Sequence, residues 1–102
     1  MIKEEAIMCI IKYMECYIFK LDKACSYDEF MKWSFAVWSA SDLINIIMDQ
    51  PHKTLFEIQN EYMIKLLYYK SIALDDYSKR RLSIIYEVTD SIFTKLFMEE
   101  RV

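Results

Sequence analysis

Glycine is absent from this chain of 102 residues, proline occurs once, at Pro51, and histidine once, at His52. Glycine is the residue that enters positive φ without steric cost, so its absence excludes most loops that depend on that geometry. Phosphate-cradling loops, type I′ hairpins and strained nucleophile elbows go with it. No Walker loop, dinucleotide fingerprint or Gly-x-Ser-x-Gly segment can be written without it. One histidine cannot supply the paired Glu-x-x-His motifs of a di-iron bundle. His52 stands beside the proline in a turn, where an imidazole is usually structural or solvent-facing. The adjacent carboxylates Glu4-Glu5, Asp75-Asp76 and Glu99-Glu100 do not face one another on a helix. These absences predict a chain that is not an enzyme, with no cofactor and no metal.

Cysteine is sparse. Cys9 and Cys16 are seven residues apart, about 10 Å on a helix and beyond disulfide reach. With Cys25 the number is odd, and no CxxC spacing suggests zinc. Reduced, packing cysteines are expected. Secretory and membrane signals are also missing: Met1-Ile2-Lys3-Glu4-Glu5 is acidic where a signal peptide is basic, and Lys12 and Glu15 interrupt the apolar stretch that follows. The longest weakly charged run, Trp33 to Met48, contains Asp42 and falls short of the ~20 residues of a bilayer span. The chain therefore reads as soluble and cytoplasmic.

What the chain has in quantity is apolar material. Hydrophobic residues make up 55%, aromatics 16%, and there are seven methionines. That is more than the interior of a small bundle uses, so part of it is expected to face outward. The length fits a single domain, residues 1–102, able to bury roughly 65% of its unfolded surface.

Apolar spacing of three and four residues predicts four amphipathic helices, near residues 2–21, 27–49, 55–73 and 79–98. The first carries Ile7, Ile10, Ile11, Met14, Tyr17, Ile18 and Leu21 on one stripe, with Met8 and Phe19 on the polar side. Ser26 with Glu29 and Thr54 with Glu57 form capping-box patterns at two helix starts. Pro51 ends the second helix, since it lacks a donor and disfavours helical geometry before it. Helix three centres on Leu55, Ile58, Tyr62, Leu66 and Tyr69, flanked by Met63, Leu67 and Ile72. Helix four centres on Leu82, Ile85, Val88, Thr89, Ile92, Phe93 and Leu96. Short links favour antiparallel neighbours, so the expected fold is all-α, an up-down-up-down four-helix bundle.

Helix two is the informative element. If Phe30, Trp33, Val37, Ala40, Ile44 and Ile47 face the core, the opposite side displays Met31, Phe35, Trp38, Asp42, Ile46 and Asp49. An ordinary surface helix would be polar there. Either helix two is central and buried all round, with Asp42 paired at an edge, or this face is a contact surface for a second copy or another protein; a membrane-surface role is disfavoured because the flanking charges are acidic and not basic. In the second case Phe35 and Trp38 are the anchors, Met31 and Ile46 extend the apolar patch, and Asp42 and Asp49 select by charge.

Charge refines the expectation. The chain is acidic, with a net charge of −3, and all of the excess lies in residues 1–50, which hold five Lys or Arg against eight Asp or Glu. An acidic, aromatic half suits a partner protein with a basic surface, where complementarity speeds association. The only basic cluster, Lys79-Arg80-Arg81, is expected to be compensated by Asp75 and Asp76, and a nucleic-acid contact there would need a broader basic surface than three residues.

In size, acidity, lack of catalytic groups and enrichment in lysine, isoleucine and tyrosine, the chain resembles small all-helical bacterial immunity proteins and phage-encoded inhibitors of host defence. That resemblance implies a bundle that works by occluding another protein. The alternatives are a structural protein that pairs with a second copy of itself through helix two and, third, a small nucleic-acid-binding regulator using Lys79, Arg80 and Arg81.

Overall fold

The computed structural model describes residues 1–99. Four helices form among them, α1 over Lys3–Asp22, α2 over Tyr27–Asp49, α3 over Leu55–Ile72 and α4 over Asp76–Glu99, and no strand. The all-α four-helix expectation holds. Each boundary has a local cause. Ser26 accepts from the Glu29 amide at 3.1 Å, while the Glu29 carboxylate takes the Cys25 amide. Thr54 accepts from the Glu57 amide at the start of α3 in the same way. Such side chains satisfy amides that the helix itself leaves open.

Helix α4 begins three residues before the expected position. The Asp75 carboxylate accepts from the Ser78 amide at 2.7 Å and from the Ser78 hydroxyl at 2.8 Å, capping a turn that the sequence pattern left in the loop. These bonds hold the Asp75 carboxyl below its ordinary range. Asp75 is thus engaged in capping and not chiefly in neutralising the basic cluster. Arg80 reaches instead across to Asp28 on α2, at 2.6 Å.

The turns need no glycine, and no described residue takes a positive φ. Helix α1 closes through Lys23, at φ −99° and ψ 5°, whose amide bonds back to the last carbonyls. Long-range bonds fix the directions. Lys3 donates to the Gln50 carbonyl, joining the start of α1 to the end of α2. Cys9 and Tyr13 both donate to Glu99, so α1 also runs antiparallel to α4. The Arg80–Asp28 pair joins the starts of α2 and α4, which therefore run parallel. The order is up-down-up-down.

The packing is uneven. Helix α1 lies mainly on α2, α4 packs on both α2 and α3, and α3 barely touches α2. The main core gathers Ile10, Ala40, Leu43, Ile47, Ile92 and Phe93, and a smaller cluster joins Leu66, Leu82 and Ile85. The molecule is flattened, about 37 × 33 × 23 Å.

Several residues sit differently from the sequence expectation. Phe30, placed in the core, is 54% exposed, and Met31, placed outside, is only 5% exposed. Helix α2 is turned by roughly a quarter turn because its buried line lies between two neighbours, α1 and α4. That line is made of Ala36, Ser39, Ala40, Leu43 and Ile47, and the small residues let the helices approach closely. Size-weighted hydrophobicity pointed instead to the flanking large side chains. Ile18, Leu67, Tyr69 and Ile72 were expected inward and are exposed, the last three because α3 has one close neighbour and not two. All three cysteines are free, but only Cys9 is partly buried; Cys16 and Cys25 are exposed and do not pack.

Candidate functional site

The loose contact between α2 and α3 leaves a groove along α2 that begins between α2 and α4, is floored by Leu82 and Ile85 of α4 in its middle, and ends between α2 and α3. Three depressions follow one another along it, sharing lining residues, with volumes of about 390, 230 and 320 Å³. At one end Phe35 and Trp38 stand over Ile85 and Arg81. In the middle Leu66, Leu82 and Tyr69 join Trp38. At the far end Ile46, Ile58 and Glu61 line the wall. A concave, largely apolar surface with a few convergent polar groups is the form that binding sites usually take.

One hydrogen bond organises the middle of the groove. The Tyr62 hydroxyl of α3 donates to Asp42 Oδ2 of α2 at 2.9 Å, the polar clasp between two helices that otherwise scarcely meet. Burial raises the Tyr62 hydroxyl above the ordinary tyrosine range, and the neighbouring carboxylate raises it further. Tyr62 therefore stays neutral and remains a donor. Trp38, by contrast, is 52% exposed at the lip. An aromatic ring this size standing half in water is a ready anchor for another molecule.

The six residues expected on this face are only partly gathered. Phe35, Trp38, Asp42 and Ile46 all line the groove. Met31 is buried, so it is withdrawn as a contact residue, and Asp49 is exposed outside the lining. Helix α2 is not buried all round, since Phe30, Trp38 and Met48 are exposed, while Asp42 is paired, with Tyr62. Charges in the groove are balanced, Asp42 and Glu61 against Lys65 and Arg81.

Tyr62, Lys65, Tyr69 and Arg81 were not foreseen as site residues. Tyr62 and Tyr69 had been read as core. A signal existed for Tyr62, since a tyrosine on a buried stripe needs a partner for its hydroxyl and Asp42 is the only acid in the middle of helix two. The sequence places Arg81 in the basic cluster, as a contact of the nucleic-acid alternative, and not on this face.

A second depression, of about 520 Å³, lies among α1, α2 and α4. Its groups are largely satisfied by one another. Trp33 stacks on Tyr17 with centroids 5.9 Å apart, and the Lys20 and Lys32 ammonium groups lie 4.5 and 4.8 Å from the Trp33 ring. Among the described residues no group of three or more His, Cys, Asp or Glu could hold a metal ion. No described helix is long and apolar enough to cross a membrane. Comparison with protein families, with characterised proteins and with solved structures finds no match for this chain.

Proposed function

We propose that this chain is a non-catalytic protein-binding module, of the inhibitor or immunity type, that holds a segment of another protein in the α2–α3 groove. The observation that carries this reading is Trp38, half exposed above a floor of Leu66, Leu82 and Ile85 in a groove kept open by sparse α2–α3 contact. Large aromatics beside an apolar pocket are the usual energetic anchors of protein interfaces. Asp42 already accepts from Tyr62 and Glu61 pairs with Lys53, so each has one carboxylate oxygen left to offer a basic side chain of the partner, while Lys65 and Arg81 restrict where an acid may sit.

The nucleic-acid alternative loses support from the same arrangement. Arg80 is paired with Asp28 and Arg81 belongs to the groove, so the basic cluster does not present three free cations on one surface. Co-purification from the native host with wild-type chain and with Trp38→Glu tests the proposal. A protein held by the wild type and lost from the variant is expected; equal retention by both, with both folded, contradicts it.

A further inference from the structure

The largest surplus of exposed apolar surface is on α3, and it lies outside the groove. Phe56, Asn60, Ile64, Leu67 and Ser71 recur at spacings of four, four, three and four, which places them on one stripe. No charge interrupts it. Phe56, Ile64 and Leu67 are all exposed, Ile64 at 67%, and the exposed Tyr68 borders them. Glu61 and Lys65 of the same helix turn to the groove side. A surface helix that packs mainly on one neighbour ordinarily carries charge on such a face.

We infer that this stripe is a self-association surface, joining two copies of the chain through antiparallel packing of α3 on α3 about a two-fold axis. Area decides between a passing apolar contact and an interface. Phe56, Ile64, Leu67 and Tyr68 offer on the order of 450 Å², and Asn60, Met63, Lys70 and Ser71 bring the strip to about 600 Å² per copy. Two copies would bury about 1,200 Å², the lower bound of stable interfaces. The stripe also complements itself. With the axis between Met63 and Ile64, the bulky Phe56 of one copy meets the small Ser71 of the other, and Asn60 meets Leu67. The same flanks face each other in such a pair, so Glu57 lies near Tyr68 of the second copy and not near another carboxylate. The groove lies further round α3, past Tyr68 on the Glu61 and Lys65 side, and the inference does not rest on what the groove binds.

Light scattering over a roughly hundredfold range of concentration tests it, because mass action makes pairing concentration-dependent. The mass should rise from that of the 12.4 kDa chain toward twice that value. Ile64→Glu and Ile64→Lys should each remain at the single-chain mass with unchanged helical circular dichroism. Mixed together they should recover the double mass, since position 64 lies beside the axis and the opposite charges meet there. The inference is overturned if the wild type stays at the single-chain mass throughout, if both variants pair as the wild type does, or if Trp38→Glu abolishes pairing. The last result would place the interface in the groove.

Discussion

Replacing Tyr62 by phenylalanine removes one hydroxyl and leaves the ring, so it isolates the clasp between α2 and α3. That hydroxyl donates to Asp42 at 2.9 Å. A hydrogen bond to a charged acceptor contributes about 1.5–3 kcal/mol in general. Asp42 is half-buried, and water can partly replace the donor, so the expected loss is about 1–2 kcal/mol. For a chain of this length each kcal/mol lowers the melting temperature by about 4–8 °C. Asp42→Asn, which keeps an acceptor oxygen, should cost less than Asp42→Ala. The decisive assay is a double-mutant cycle with Tyr62→Phe and Asp42→Ala, followed by chemical denaturation. A coupling of about 1 kcal/mol is expected for groups in direct contact. Amide exchange in α3 should rise in Tyr62→Phe, since α3 has little else to hold it to α2. Strictly additive effects, or unchanged exchange in α3, would refute the clasp.

Other outcomes follow from single features. Thr89 is fully buried in α4 and its hydroxyl has no partner among the described residues, so Thr89→Val should stabilise the chain by about 1 kcal/mol, measured as a higher denaturation midpoint. Ser26→Ala should cost about 1 kcal/mol by leaving the Glu29 amide open at the start of α2, with Ser26→Gly costing less. Tyr62 and Tyr13 both hold their protons more strongly when folded, chiefly through burial. Their contribution is therefore complete below about pH 10, where an unfolded tyrosine begins to ionise, and is lost as pH rises further. Denaturation midpoints should fall above that pH, and less steeply in Tyr62→Phe.

Local chemistry was legible in the sequence, and helix orientation was not. Ser26 and Thr54 with their glutamates, and Pro51, marked the boundaries of α2 and α3, because a cap or a missing donor acts within four residues. Asp75 could have marked α4 in the same way, but Asp76 and Ser78 beside it are equally good caps, and which one acts depends on how the turn closes. The stripe of α4 from Leu82 to Leu96 was read correctly because that helix is amphipathic and has close neighbours. Helix α2 was misread by a quarter turn, since Ala36 and Ser39 carry little hydrophobic weight yet lie where α1 and α4 converge. Helix α3 gave the weakest signal of all: it is apolar around most of its circumference, so its pattern does not say which side is covered. The groove is a consequence of that helix's position, and no spacing within one helix encodes it. Phe35, Trp38, Asp42 and Ile46 were visible from the sequence, Tyr62 was signalled only by the need of its hydroxyl for a partner, and Tyr69 and Arg81 reached the site through packing alone.

The central claim, that the α2–α3 groove receives another protein, is tested most directly by photocrosslinking in the native host. A photoreactive aromatic residue at position 38, which keeps a ring on the lip in place of the indole, is compared with one at position 8, exposed on α1. The expected result is one adduct of defined mass from position 38, absent from position 8 and reduced when Tyr62→Phe loosens the groove. An adduct from position 8 alone, or none from either position in a folded chain, would contradict the account.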